Sequence, residues 1–336
     1  MERGPGQRET EQVDKLTDAV NVDHLTKHYG GLLALDDVSF KVKQGTVFGL
    51  LGPNGAGKTT TIRILTGLTR PSGGTATVMG FDLTRDAVKA KQRIGVVPES
   101  SNVYEEMTAA QNLIFAAQLY SVPRADRAAR ARELLELFSL EDRAGSRVSE
   151  LSRGMRRRLT IACALIHRPE VLFLDEPTTG LDVQSARRLR DSVGELRDMG
   201  VTVFLTTHYI EEADQLCDMV AMINRGRIVA LDSPENLKAG VAGARIVEVS
   251  FSGDVALSDL TGIGGVLEAH RLGDKYRLTV NGASDVYGGL VDYARARSIN
   301  ITGLNTLRPS LEDAFLRITG ETPGDAEAVK THGRDL

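Results

Sequence analysis

Gly52-Pro53-Asn54-Gly55-Ala56-Gly57-Lys58-Thr59 follows the apolar run 46–51 and leads into a stretch, 57–66, that puts Ile62 and Leu65 on one helical face. Strand, glycine-rich loop and helix in this order fit the pattern GxxxxGK[ST]. The glycines let backbone N–H groups turn inward around phosphate oxygens with no Cβ in the way. The helix that begins there adds its positive dipole end. Lys58 is placed to reach the β- and γ-phosphates, and the Thr59 hydroxyl to ligand Mg²⁺. A magnesium–nucleoside triphosphate is therefore expected against Gly52, Asn54, Gly55, Ala56, Gly57, Lys58, Thr59 and Thr60.

Further along, the apolar run 171–174 ends in Asp175-Glu176. A buried strand beside the phosphate-loop strand would deliver Asp175 to the Mg²⁺ shell. Glu176 would then stand near the γ-phosphate, where a carboxylate can accept a proton from attacking water. In isolation the same residues read as a strand followed by a charged turn; the phosphate loop gives them chemistry.

Between and around these stretches, short strands are expected at 20–25, 38–42, 76–79 and 94–97. Residues 99–168 read as a helical insert, with helices over 111–119 and 127–138. Strand-like runs return at 171–174 and 201–205, with helices over 184–199 and 211–217. Alternating strands and helices imply an α/β fold with a largely parallel sheet covered on both faces. A second unit, 240–320, reads as a small α+β domain: strands at 245–251 and 276–280, helices over 286–297 and 310–319. Residues 1–19 read as a disordered tail and 321–336 as a mobile one.

The length of 336 residues accommodates two cores. A net charge of −4 gives no general attraction to nucleic acid or an anionic membrane. Cys163 and Cys217 lie far apart with no CxxC spacing, which suits reduced, buried thiols of a cytosolic protein. The polar N-terminus lacks the apolar core of a signal peptide. No run approaches the roughly 18 apolar residues of a membrane span. Work at a membrane would need another polypeptide to do the spanning.

Three further stretches carry a resemblance. Leu151-Ser152-Arg153-Gly154-Met155 opens an arginine-rich helix, Gly180-Leu181-Asp182 follows the acidic strand, and Thr206-Thr207-His208 closes the next one. In this order, over about 20–234, the chain resembles the ATP-binding subunit of an ABC transporter: a P-loop NTPase fold of the ABC type with a helical insert. Ser152 would otherwise read as the N-cap of a helix over 153–167, and both readings can hold. The resemblance implies that Tyr29, otherwise a turn residue before Gly30-Gly31, stacks on adenine. It implies that Ser152 and Gly154 contact the γ-phosphate of ATP held by a second copy. Asp182 would communicate across that interface, and His208 would hold the γ-phosphate and help orient water. Lys58, Glu176 and His208 form the implied catalytic set, with ATP and Mg²⁺ bound. The implied partners are a second copy in an ATP-bound homodimer and an integral-membrane permease on a separate chain, on the cytoplasmic face of the cell membrane. No nucleic acid is expected. The stretch 309–316 resembles the closing helix of multidrug, antibiotic, sodium or polysaccharide exporters, which makes the C-terminal unit a regulatory or dimer-supporting domain. It also reads as a plain amphipathic helix with Leu311, Phe315 and Ile318 on one face.

The chain departs from that family at two positions. Glu99 stands where glutamine is usual after the 94–97 strand, and its carboxylate can still serve a hard cation. The expected metal set is Thr59, Glu99 and Asp175. Arg153 stands where many members have glycine; with Arg156–Arg158 it reads as a solvated helix face and not a nucleic-acid patch. Two other functions fit parts of the pattern. A soluble ABC ATPase acting on nucleic acid or the ribosome usually carries paired cassettes or long coiled coils, and one cassette without sustained heptads stands here. A non-hydrolysing ATP-binding regulator would not need Lys58, Asp175, Glu176 and His208, all of which are present.

Overall fold

In the computed structural model, which describes residues 17–240, 244–281, 286–307 and 310–320, the chain opens with a long hairpin. Strands β1 (Asp18–Tyr29) and β2 (Leu32–Lys43) pair antiparallel from Asp18↔Lys43 to Tyr29↔Leu32. Both are longer than the runs 20–25 and 38–42, because several register shifts and the positive φ of His24 break the period-two pattern. Asp18 and Ala19 belong to β1 and not to a tail. Ala19 is buried, and the Asp18 carboxylate lies 2.8 Å from the Lys43 ammonium. The rest of that tail, 1–16, and the tail 321–336 lie outside the described residues.

Strand β3 (Val47–Leu51) is buried throughout and leads through the glycine loop into α1 (Lys58–Leu65). β4 (Gly73–Val78) and β5 (Phe81–Asp82) complete a four-stranded sheet in the order β2-β1-β4-β5. Helix α2 (Ala87–Lys91) precedes β6 (Ile94–Val97). The insert then supplies α3 (Ala109–Leu119), opened by a Thr108–Gln111 capping box, α4 (Arg124–Leu137) and α5 (Arg153–Ala164). Helix α5 stops short of residue 167, and the His167 ring instead lies 3.0 Å from the Ile94 carbonyl oxygen. There follow β7 (Val171–Asp175), α6 (Val183–Asp198), β8 (Thr202–Thr207), α7 (Ile210–Leu216), β9 (Met219–Asn224) and β10 (Arg227–Asp232).

These strands form a six-stranded sheet in the order β10-β9-β3-β8-β7-β6, parallel from β9 to β6. The acidic strand β7 is thus not beside the phosphate-loop strand β3. Strand β8 lies between them, pairing Thr206 with Asp175 on one edge and Leu50 on the other. The β7–α6–β8 crossover sets neighbouring parallel strands side by side, which is the common outcome of such a connection. The loop and the acidic residues still share the carboxyl ends of the strands, where α/β sheets place ligands. Stacked rings join this sheet to the antiparallel one: Phe40 lies 5.2 Å from Phe48 and 5.9 Å from Phe204, centroid to centroid. Ile62, Ile64 and Leu65 of α1 pack into the same core.

The two compact units divide at Leu231/Asp232, earlier than the expected start near Gly240. Ser233 already caps α8 (Pro234–Ala239). In the second unit, β11 (Ala244–Phe251), α9 (Leu257–Thr261), β12 (Val266–Leu272), β13 (Lys275–Asn281), α10 (Val286–Ala296) and β14 (Ile301–Leu307) precede α11 (Leu311–Thr319). The antiparallel order β12-β13-β11-β14 in a β-α-β-β-α-β chain is ferredoxin-like. Val247, Val249, Tyr276, Leu278 and Val280 pack with Leu260 and Leu290 on one side of the sheet. A Ser310–Asp313 capping box starts α11, which buries Leu311 and Phe315 and leaves Ile318 exposed.

Phe204 is fully buried where the two sheets of the first unit meet. Phe204→Ala should lower the stability of that unit by about 3–5 kcal/mol, read as a reduced urea midpoint.

Candidate nucleotide and catalytic site

The glycine loop closes against the β1–β2 hairpin and β9. Gly57 has a φ of 111°, and a Cβ there would lie 2.7 Å from Leu35 Cδ2 and 2.8 Å from the Ala34 carbonyl oxygen. Only glycine fits that position. Of the expected nucleotide contacts, Tyr29, Asn54, Gly55, Gly57, Lys58, Thr59 and Thr60 line one cleft, together with Glu99 and Glu176. Ala56 is buried beneath it, and the Gly52 carbonyl faces the Lys58 ammonium. Tyr29 is the last residue of β1 and not a turn residue. Its ring is half exposed and the Lys27 ammonium lies 4.8 Å from its centroid. Leu32, Leu33 and Arg225 also line the cleft, none of them marked by a motif.

Lys58 is only 4% exposed. Its ammonium donates to the carbonyls of Gly52 at 2.8 Å and Pro53 at 3.1 Å, and lies 3.2 Å from Glu176 Oε1. The other Glu176 oxygen, Oε2, is 2.8 Å from His208 Nδ1 and accepts the Thr179 hydroxyl at 3.1 Å. A carboxylate only accepts, so the His208 ring donates there. Burial alone would raise the Glu176 pKa. The His208 hydrogen bond and the Lys58 charge outweigh it and bring the carboxyl from 4.5 down to about 2.

Glu176 takes a left-handed backbone, φ 45°, a conformation that costs a non-glycine residue about 1–3 kcal/mol. Its N–H donates to the Thr206 hydroxyl and to the Thr206 carbonyl, each at 3.1 Å. The same hydroxyl donates to Asp175 Oδ1 at 2.6 Å. One threonine side chain thus sets both acidic residues. The signal for it in the sequence is a polar hydroxyl pair ending an otherwise apolar strand.

Thr59, Glu99 and Asp175 offer one hydroxyl and two carboxylates. Such an all-oxygen set suits Mg²⁺, which keeps waters and takes substrate phosphates as its remaining ligands. Among the described residues no group of three or more His, Cys, Asp or Glu side chains is arranged to hold a metal by itself. Cys163 and Cys217 are free thiols, and burial pushes Cys163 up to about 12.

Ser152 caps α5, its hydroxyl accepting from the Met155 N–H at 3.3 Å. Asp182 caps α6, accepting from the Ser185 N–H at 2.8 Å and the Ser185 hydroxyl at 2.7 Å. A Cβ on Gly154 would overlap that Ser185 hydroxyl, so the signature and the Asp182 loop touch through Ser185. Ser152 lines a second cavity with Arg153, Thr179 and Leu181, apart from the phosphate-loop cleft of the same chain; Glu99 borders both. The solvated face holds for only part of the set: Arg153 is exposed and Arg156 partly so, while Arg157 and Arg158 turn inward. Arg157 and Arg158 are buried, Arg158 donating to the Phe138 carbonyl at 2.7 Å. Arg153 donates to the Gly180 carbonyl at 2.7 Å and Arg156 to the Leu151 carbonyl at 3.0 Å. Loop carbonyls left without helix or sheet partners draw the guanidinium groups inward.

The depressed Glu176 pKa contributes stability that is complete above about pH 4.5 and is lost as pH falls through about 2. Thermal midpoints of wild type and Glu176→Gln, without nucleotide, should therefore differ by a constant amount above that window. The difference should shrink as pH drops across it.

The description "ABC transporter" covers a family pattern that matches residues 35–179. The linearmycin resistance ATP-binding protein of Bacillus subtilis is 37% identical over 311 residues, spanning 91% of this chain and 100% of that protein. A daunorubicin resistance ATP-binding protein of Streptomyces coeruleorubidus is 41% identical over 316 residues, 93% of this chain and 99% of that one. A solved ATP-binding subunit of an ABC transporter superposes with a TM-score of 0.61 at 31% identity, covering 67% of this chain and 93% of its own. An ATP-binding cassette solved as a post-hydrolysis dimer with ADP and phosphate gives a TM-score of 0.58 at 25% identity, covering 64% and 98%. With the phosphate loop, acidic strand and signature in these places, the chain belongs to the ATP-binding proteins of the ABC transporter family.

Proposed function

We propose that this chain is the ATP-hydrolysing subunit of an exporter, working as a homodimer on the cytoplasmic face of the cell membrane beside a separate permease chain. The observation that carries this reading is the Lys58–Glu176–His208 cluster at the floor of the glycine loop. ATP would lie with its adenine on Tyr29 and its phosphates under the N–H groups of Asn54 to Thr60. The β- and γ-phosphates compete with Glu176 for the Lys58 ammonium, a strong charge-assisted partner for either. That exchange frees Glu176 to accept a proton from water, and loss of the Lys58 contact raises its pKa toward that of a better base. His208 keeps Glu176 oriented through Nδ1–H, and a contact from Nε2 to the γ-phosphate, whose oxygens only accept, would require that nitrogen to carry a proton as well. Mg²⁺, held by Thr59, Asp175 and Glu99, would neutralise charge on the phosphate oxygens.

Ser152 and Gly154 sit at the start of α5, and Ser152 lines a cavity to which no residue of its own chain's phosphate loop contributes. This supports a head-to-tail pair in which each ATP lies between one phosphate loop and the other copy's signature, with Asp182 at the seam. Hydrolysis removes the phosphate that joins the halves, so closed and open states differ by their affinity for ATP. The resistance functions named for the relatives favour export. Among the described residues no helix is long and apolar enough to cross a membrane, and the proposed transport takes its spans from the permease. An apolar groove along α3 and α5, with exposed Tyr104, Leu119 and Tyr120, supports a docking seat for it. The second unit is assigned a regulatory or dimer-supporting role.

Glu176→Gln should lower the steady-state ATPase rate roughly 10²–10⁴-fold, the range lost with a general base. In MgATP the variant should elute as a dimer by size exclusion with light scattering; equal rates for variant and wild type would remove Glu176 from the mechanism. Glu99→Gln should change the Mg²⁺ concentration that half-saturates activity. An unchanged Mg²⁺ requirement would take Glu99 out of the metal set.

A further inference from the structure

Arg157 carries a buried charge that pairs with no carboxylate within 4.0 Å among the described residues, although the charges of Asp175, Glu212 and Glu99 favour its protonated form from further off. It is 6% exposed, and its hydrogen bonds run to main-chain carbonyls. Nε donates to Pro177 at 2.9 Å and Nη2 to Asp175 at 2.8 Å. Nη1 donates to Pro98 and, at 3.2 Å, to Glu99. Asp175 and Pro177 flank Glu176 at the end of β7, while Pro98 and Glu99 follow β6, the strand paired with β7. A single rigid fork therefore bridges the ends of two neighbouring strands and ties both to the signature helix α5. Burial lowers the guanidinium pKa to about 10, which leaves the group charged at neutral pH. Burying a charge is costly, and an apolar side chain would fill the space while leaving the carbonyls unpaired.

We infer that Arg157 is a positioning residue for hydrolysis: it holds the Glu99 loop against the Asp175–Glu176 strand end and makes both follow the signature helix. It touches no reacting atom. It acts through the spacing of Glu99, Asp175 and Glu176, and so rests on the ATPase reading proposed above. The phosphate loop leaves β3, separated from β7 by β8; none of the Arg157 hydrogen bonds reaches it, and it meets the clamp only through the Lys58–Glu176 ion pair, which a bound triphosphate would replace. Loss of Arg157 should therefore weaken the Mg²⁺-dependent steps and spare metal-free nucleotide binding.

The test uses the full chain as wild type, Arg157→Lys and Arg157→Gln. ATPase activity and fluorescent-ATP binding are titrated with Mg²⁺, ATP affinity is measured in EDTA, and melting points are recorded. In Arg157→Gln the Mg²⁺ half-saturation should rise roughly 10- to 100-fold, as when a group orienting metal ligands is lost. Arg157→Lys, which keeps the charge but not the fork, should fall between it and wild type. ATP affinity in EDTA should stay within about twofold, a split that general destabilisation does not produce. Mg²⁺ half-saturation within about twofold of wild type in both variants, whatever their melting points, overturns the inference. If Arg157→Gln melts below the assay temperature, Arg157→Lys decides by the same criterion. Absence of turnover in the wild type would strike instead at the ATPase reading, while the Mg²⁺ dependence of ATP binding would still report on Arg157.

Discussion

The contact between the Lys58 ammonium and the Glu176 carboxylate, 3.2 Å apart beneath the glycine loop, is the constraint around which the first unit is organised. Each group is held by structure that has little other purpose. Lys58 is aimed by two loop carbonyls and by a helix that can begin only after a left-handed glycine. Glu176 is aimed by a strained backbone, by Thr206 and by His208. The β7 and β8 strands that carry these partners are buried from end to end, so their ends have little freedom to drift. Of the two, only the Lys58 ammonium can pair with a triphosphate, which would compete with the Glu176 carboxylate for it.

The fold class and the local motifs are legible in the sequence, and the order of the strands around them is not. A phosphate loop, an acidic strand end and a capped signature helix are each written within a few consecutive residues, because each depends on local backbone geometry. What could not be read is what depends on distant partners. Nothing within 171–175 says that β8 will intervene between β7 and β3, since that follows from how two crossovers share one sheet. The hairpin extended beyond its apolar runs because paired strands tolerate polar residues and register shifts on an exposed stretch. Strand β14 carries no such signal for a related reason: Thr302 to Thr306 are all exposed, so no alternation marks it.

The arginines of α5 show how a compositional reading can invert. Four arginines near a helix start look like a solvated face, and two of them are among the most buried charges of the unit. The reason lies in the neighbouring loops. A fold that gathers functional loops at the ends of parallel strands leaves many carbonyls without sheet or helix partners. A guanidinium, with five donors on a flat frame, can satisfy several at once. Lysine could carry the same charge but not the same geometry.

Thr206 ties the two acidic residues together. Its hydroxyl gives a proton to Asp175 and takes one from the Glu176 amide, so two acidic residues share a single hinge pin. Changes at the three positions are therefore epistatic: the effect of altering one depends on the identity of the others, as for any residues in one hydrogen-bond network. A drift at position 206 would reach the proposed metal ligand and the proposed base together.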